Sequence, residues 1–223
     1  MLIGLISDIH ANLTALEAVL NDIPRTDLLL FCGDVVGYYA QPNETCERLR
    51  ASGALCVRGN HDAYVIGALE PNPDRREAYR TDWTREQLTP ANYAWLAQLP
   101  TERNFEFEGL SIRLRHASPW DEETYLYPDS PRLKEIRLVQ NELLLVGHTH
   151  HPLAREAGDG MVMNPGSVGQ PRDWNPRASY ALLRLPSKSF EIRRVSYSVA
   201  SVRKNLEDLG WDKKIIRILD RSR

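Results

Sequence analysis

Leu2-Ile3-Gly4-Leu5-Ile6-Ser7 runs straight into Asp8-Ile9-His10, and Leu28-Leu29-Leu30-Phe31-Cys32 runs straight into Gly33-Asp34. Short, unbroken apolar runs of this kind read as strands buried on both faces, the habit of parallel sheets. Between them Asn12 can cap a helix in which Leu13, Leu16, Val19 and Leu20 recur at helical spacing. After the second run Pro42 falls in the first turn of another helix and Gly53 just past its end. Leu55–Arg58 then reads as a third strand. Strand, helix, strand, helix, strand implies parallel pairing through right-handed crossovers.

Moving outward, Ala63–Leu99 reads as mostly helical. It holds a charged segment over Asp74–Gln87, then Thr89 and Pro90 as the start of a helix carrying Tyr93, Trp95 and Leu96. Asn104–Glu108 and Leu110–Arg115 read as two strands turning at Gly109. Ser130 and Pro131 open a helix, and Leu143–Val146 is again a buried strand. Beyond it strands prevail, at Leu153–Glu156, Met161–Met163, Ser179–Leu185 and Ser189–Ser196, before a helix over Val199–Leu209. No repeat or linker-like shift in composition interrupts the 223 residues, so residues 1–223 are expected to form one domain.

Composition narrows the classes of function. Apolar residues make up 42% and charged residues 26%, a globular mix that excludes a disordered or fibrous chain. The net charge of −2 argues against a dedicated nucleic-acid or anionic-membrane binder. The longest apolar runs fall far short of the roughly 18 residues that a membrane span needs. Neither a basic segment nor a signal-like apolar stretch precedes Asp8 and His10, and three cysteines do not make a disulfide framework. A cytoplasmic location is expected.

The six histidines are placed unevenly. Each lies within a few residues of the C-terminal end of an expected strand, the rim where open α/β sheets bind ligands. The strands deliver, in order, Asp8 and His10, then Gly33-Asp34, then Gly59-Asn60-His61-Asp62, then His116, then Gly147-His148-Thr149-His150. Taken singly, a DxH or a GD is ordinary turn chemistry. Together the five point to a metal site of imidazole, carboxylate and amide donors with no thiolate.

This ordered set resembles the calcineurin-like metallophosphoesterases over Asp8 to about Asn164, and Asn164–Arg172 looks like the corresponding segment of small bacterial phosphodiesterase-like members. The resemblance implies an α/β fold, a four-layer α-β-β-α sandwich of two mixed sheets. It implies one metal held by Asp8, His10, Asp34 and His150, and a second by Asp34, Asn60, His116 and His148. Two divalent ions, manganese first and iron or zinc next, would let a metal-bridging hydroxide attack a phosphodiester or phosphomonoester. His61 would be the general acid, and Asp62 would orient it, shape the turn or cap the next helix. Asn12, Arg172 and Arg177 are candidate substrate contacts, and His151 would lie at the rim. Tyr38, Tyr39, Trp120 and Trp174 could stack on a base or aryl group, with ordinary packing as the default.

Departures from related branches narrow the substrate. Protein phosphatases and the symmetrical diadenosine tetraphosphate hydrolases carry a phosphate-binding arginine shortly after GD. Here Gly33-Asp34 is followed by Val35-Val36-Gly37-Tyr38-Tyr39. A diadenosine polyphosphate or other nucleotide hydrolase and a protein phosphatase stand as alternatives, as does a non-catalytic scaffold with the same fold, which the complete set of seven ligand positions disfavours. The expected partner is a small phosphoester or nucleotide, with no dedicated nucleic-acid binding and no membrane. Val199–Arg223 carries seven Lys and Arg against four Asp and Glu, with Ile215, Ile216, Ile218 and Leu219 as an apolar cluster. Packing on its own domain is expected there, with docking or dimer formation as the alternative.

Overall fold

The computed structural model describes residues 1–107 and 109–220, and the side chains at 214, 215, 218 and 220 lie outside the description. The expected strand end at Glu108, the Ile215 and Ile218 part of the apolar cluster, and residues 221–223 therefore lie outside the described residues. The strands in chain order are β1 (Leu2–Ile6), β2 (Leu28–Phe31), β3 (Leu55–Cys56), β4 (Glu102–Phe107) and β5 (Leu110–Arg115). They continue as β6 (Glu142–Leu145), β7 (Pro152–Ala157), β8 (Gly160–Pro165), β9 (Ala178–Arg184) and β10 (Ser189–Val195). The helices are α1 (Leu13–Asp22), α2 (Pro42–Ala51), α3 (Asn60–Ile66) and α4 (Pro73–Tyr79), then α5 (Thr81–Gln87), α6 (Pro90–Gln98), α7 (Val199–Asp208) and α8 (Lys213–Ile216).

The strands form two mixed sheets of five, ordered β10-β9-β1-β2-β3 and β4-β5-β6-β8-β7. In the first, β1, β2 and β3 run parallel, with Ile3 opposite Leu28 and Ile6 opposite Phe31, while β9 and β10 add on antiparallel. In the second, β5, β6 and β8 run parallel between two antiparallel edges. This is the expected α/β sandwich.

The unbroken apolar runs follow from burial on both faces. In β1, Ile3 and Leu5 point between the sheets and Ile6 points outward beneath the helices. In β2, Leu30 packs between the sheets and Phe31 packs outward. Ile112, Leu114, Leu143, Leu145 and Met163 fill the gap from the second sheet. The outer face of the first sheet is covered through Leu16, Val19, Leu49 and Leu96, from α1, α2 and α6.

Three local expectations differ. The segment opened by Ser130 and Pro131 is a five-residue 3-10 turn, Pro131–Glu135, because Leu133 is its one buried residue. Together with Leu126, Ile136 and Leu138 it forms the thin cover over Leu144, Val146 and Val162 on the second sheet. The charged segment at 74–87 breaks at Arg80, whose left-handed φ of 58° ends α4 and starts α5. The third strand is shorter than expected, because Arg58 leaves the sheet to donate its backbone N–H to the Pro100 carbonyl. Asn12 and Thr89 cap α1 and α6 as expected. Among the described residues no helix is long and apolar enough to cross a membrane.

Leu183 is fully buried between the sheets and Arg184 beside it is exposed. Leu183→Ala should therefore cost about 2–5 kcal/mol of stability in urea unfolding, while Arg184→Ala should stay within about 0.5 kcal/mol.

Candidate metal centre

Every donor hangs from a turn at the end of a strand. β1 passes into Asp8 and His10, β2 into Asp34, β3 into Asn60 and His61, β5 into His116, and β6 into His148 and His150. These turns are tight enough to force side-chain-bearing residues into left-handed backbone. Asp8, His10, Asp34, His148 and His150 have φ between 54° and 66°. Such conformations cost about 1–3 kcal/mol each and persist where surrounding bonds dictate them. Here Asp8 donates its backbone N–H to the Gly33 carbonyl, Ile9 and His10 donate theirs to the Asp34 carbonyl, and Gly147 donates to the His116 carbonyl. A methyl group at Gly59 would collide with the Asp34 carboxylate, and one at Gly147 with Ser7 and Asp8, so both positions need glycine.

The seven side chains proposed as ligands converge. Asp8, His10 and His150 bring one ligand atom each within 4.8 Å of one another, and so do Asp34, His116 and His148. Asp34 lies between the two groups, its Oδ2 3.6 Å from His10 Nε2 and 3.3 Å from His116 Nε2. Asn60 Oδ1 is 2.9 Å from His116 Nε2 and 3.0 Å from His148 Nδ1. All seven are buried.

The outward nitrogens show that this cluster fits a cation. His10 Nδ1 meets the Val36 carbonyl at 3.2 Å, His150 Nδ1 the Gln170 carbonyl at 2.5 Å, His116 Nδ1 the Cys32 carbonyl at 2.7 Å, and His148 Nε2 the Glu123 carbonyl at 2.9 Å. A carbonyl only accepts, so each outward nitrogen carries the proton and the inward nitrogen of a neutral ring is a bare lone pair. His10 Nε2 and His150 Nε2 nonetheless face each other at 3.1 Å. Two lone pairs at that distance repel, and a cation between them reverses the sign. Carbonyl-anchored histidines are also how proteins fix the tautomer of metal-binding imidazoles.

Charge in the cluster follows from burial and neighbours. Burial pushes His10 down to about 4 and His148 down to about 3, and holds His150 well below the ordinary value, keeping their lone pairs free. Burial opposes charge on His116 as well, but the adjacent Asp34 carboxylate outweighs it and lifts His116 to about 9. Burial alone would raise Asp34, yet the charges of His116 and His61 hold it below the usual carboxylate range. Asp8, where burial dominates, rises to about 7.

His61 stands beside these donors, its ring centroid 4.9 Å from that of His10. No carbonyl among the described residues anchors its ring, and burial lowers its pKa well below the ordinary value. One of its nitrogens also lies within 4.8 Å of ligand atoms of His10 and Asp34. Asp62 does not orient His61. Its carboxylate accepts the backbone N–H groups of Asp34, Val35, Val36 and Gly59 at 2.9–3.1 Å, tying the second turn to the third. It is a positioning residue.

The substrate candidates separate. Asn12 spends its side chain on the cap of α1 and on the Gly169 carbonyl, 2.9 Å away. Arg177 is exposed and bonds to Asn175, outside the cluster. Arg172 lies at the cluster, held by Gln170 Oε1 at 2.7 Å and by the Tyr38 hydroxyl at 3.1 Å. Tyr38 packs edge-on against His10, whereas Tyr39 is buried beside the C-terminal segment. Trp120 sits under the Arg132 guanidinium, Trp174 is exposed, and His151 packs edge-on against Tyr127.

Several residues at the site went unread in the sequence. The Tyr64 hydroxyl bonds the Glu123 carboxylate, whose own residue's carbonyl holds His148. Tyr79 lies 4.4 Å from His61, and the Tyr125 ring lies 4.0 Å from that of His148. Gln170 bridges His150 and Arg172. Their signals are backbone carbonyls and loop aromatics, which carry no motif. For Asp62 the consequence is testable: Asp62→Asn puts an amide N–H against backbone donors, so each unmade bond should cost about 1–3 kcal/mol. Urea unfolding should show that loss, with weaker metal retention in dialysis.

Known proteins share this architecture. The sequence profile of the calcineurin-like phosphoesterase superfamily domain matches residues 1–188. An uncharacterised protein of Methanocaldococcus jannaschii is 35% identical over 218 residues, covering 89% of this chain and 88% of its own. Phosphodiesterase YfcE of Escherichia coli K12 is 31% identical over 190 residues, covering 79% of this chain and 84% of its own. The crystal structure of a metallophosphoesterase from Sphaerobacter thermophilus superposes with a TM-score of 0.82 at 33% identity, covering 99% of both chains. With the match spanning both sheets and every strand-end donor, the chain belongs to the calcineurin-like phosphoesterase superfamily, whose members hydrolyse phosphoester bonds.

Proposed function

We propose that the protein is a dinuclear metallophosphoesterase acting on a small phosphodiester or phosphomonoester, with residues 1–223 working as one domain in the cytoplasm. The observation that supports this most is the division of the donors into two groups that share Asp34. A shared carboxylate suits two divalent cations about 3.5–4 Å apart. Nitrogen and oxygen donors without thiolate favour manganese, with iron or zinc as further fits. Such ions would polarise phosphoryl oxygens and lower the pKa of a water between them from about 15.7 toward 7.

The chain's own residues supply the rest. Arg172 is held on one side by Gln170 and Tyr38, and its Nη1 donates to none of the described residues, which leaves it for a phosphoryl oxygen. His61 would give a proton to the departing oxygen, its ring lying beside that of His10 and bound by no carbonyl of the described residues. Burial disfavours its charged form. Asp62 keeps Asp34 and the Gly59 turn in register. A diester is the first substrate to test, because the Escherichia coli relative at 31% identity is named a phosphodiesterase.

Metal-stripped protein reloaded with Mn²⁺ should hydrolyse bis(p-nitrophenyl) phosphate, and p-nitrophenyl phosphate assayed alongside gives the diester-to-monoester ratio. No turnover of either ester, with two equivalents of metal bound, would overturn the enzymatic reading in favour of a scaffold. His61→Ala should keep both metals by elemental analysis and lose about 10²–10⁴ in kcat, most of all for esters with poor leaving groups. Loss of a metal in that variant would make His61 a ligand instead.

A further inference from the structure

A cleft of about 370 Å³ opens beside the donor cluster, lined by Tyr38, Asn72, Arg75, Tyr79, Tyr125 and Arg172. Its tyrosines back onto the cluster. Tyr38 lies against His10, Tyr79 against His61, and Tyr125 over His148, with ring centroids 4.0–4.9 Å apart. The charged groups among its lining residues are two guanidinium groups. They differ in how they are held. Arg172 is half-buried and bonded to Gln170 and Tyr38. Arg75 is exposed on α4, and its guanidinium makes no hydrogen bond or ion pair with any described residue.

Each simple class of phosphoester leaves part of this wall unused. An aryl phosphate would use the tyrosine rings but gives the second arginine nothing to bind. A sugar phosphate or pyrophosphate would use both arginines but not the rings of Tyr79 and Tyr125. A planar base joined to more than one phosphate uses both, since bases stack on tyrosine rings and phosphates take guanidinium groups. The volume falls in the range of small-ligand sites.

We propose that the cleft takes a nucleotide, with the planar base against Tyr79 and Tyr125 and a phosphate beyond the scissile one on Arg75. This rests on the phosphoesterase reading of the donor cluster and names its substrate class. The reaction is plain hydrolysis: the oxygen of water bonds to phosphorus, the P–O bond to the leaving group breaks, and the proton passes to the leaving oxygen. Arg75 is then a specificity residue that touches substrate and no metal ligand.

The test uses the full chain loaded with Mn²⁺ and kept in a fixed excess of the metal. ADP, inorganic pyrophosphate and phenyl phosphate are each titrated by calorimetry and compared as inhibitors of bis(p-nitrophenyl) phosphate hydrolysis. ADP should bind at least about tenfold more tightly than either of the others. Arg75→Ala should weaken ADP by about tenfold, the loss of one charge-assisted bond, and weaken phenyl phosphate far less. Arg75→Lys should recover part of the loss. ADP binding no more tightly than pyrophosphate, or ADP affinity unmoved by Arg75→Ala, would overturn the proposal. Absence of aryl diester hydrolysis would instead strike the phosphoesterase reading, because calorimetry reads the cleft without turnover.

Discussion

Lone pairs are crowded together at the centre of this molecule, and the rest of the structure is arranged to keep them there. His10 Nε2 and His150 Nε2 face each other without a proton between them, and their outward nitrogens are pinned to the carbonyls of Val36 and Gln170. Left to itself such a cluster would spread apart. What prevents this is backbone: left-handed turns locked by cross-strand hydrogen bonds, and one carboxylate, Asp62, that gathers four N–H groups from two turns. The strain is tolerated because the turns grow out of strands buried on both faces, whose cohesion is large beside a few kcal/mol of local cost.

The end of β8 and the segment after it lock the arrangement from the other side. Asn164 donates to the Gly147 carbonyl and to the Thr149 hydroxyl, and the Ser167 hydroxyl donates to the Asp8 carbonyl. Gln170 then connects the carbonyl that anchors His150 to the side chain that holds Arg172. The placing of His150 and the placing of the Arg172 guanidinium are therefore one structural problem here. A shift of the Gln170 backbone would move both.

How much of this could be read beforehand depended on where the information sits. Asp8, His10, Asp34, Asn60, His116, His148 and His150 were legible as a group because each puts a donor side chain just past a strand, and both halves of that signal are local. Asp62 was only half legible: its position after Asn60 and His61 suggested either a catalytic partner or a cap, and only folding shows its four backbone donors. Arg172 and Arg177 are alike in sequence, five residues apart, and differ because one faces Gln170 and Tyr38 while the other bonds Asn175. The Glu123 carbonyl behind His148 was invisible, since every residue has a carbonyl. Ser130-Pro131 shows the opposite failure, a sound start signal followed by too few apolar residues to sustain a helix.

The family profile ends at residue 188, yet the wall of the cleft is braced from beyond it. Val202 and Leu206 of α7, followed by Trp211, Ile216 and Leu219, pack with Tyr38 and Tyr39, the pair that follows the Asp34 turn. Substitutions in that segment can therefore tilt Tyr38 without touching a single metal donor. The ring that borders His10 can thus be adjusted from the far end of the chain while the strand-end turns stay as they are.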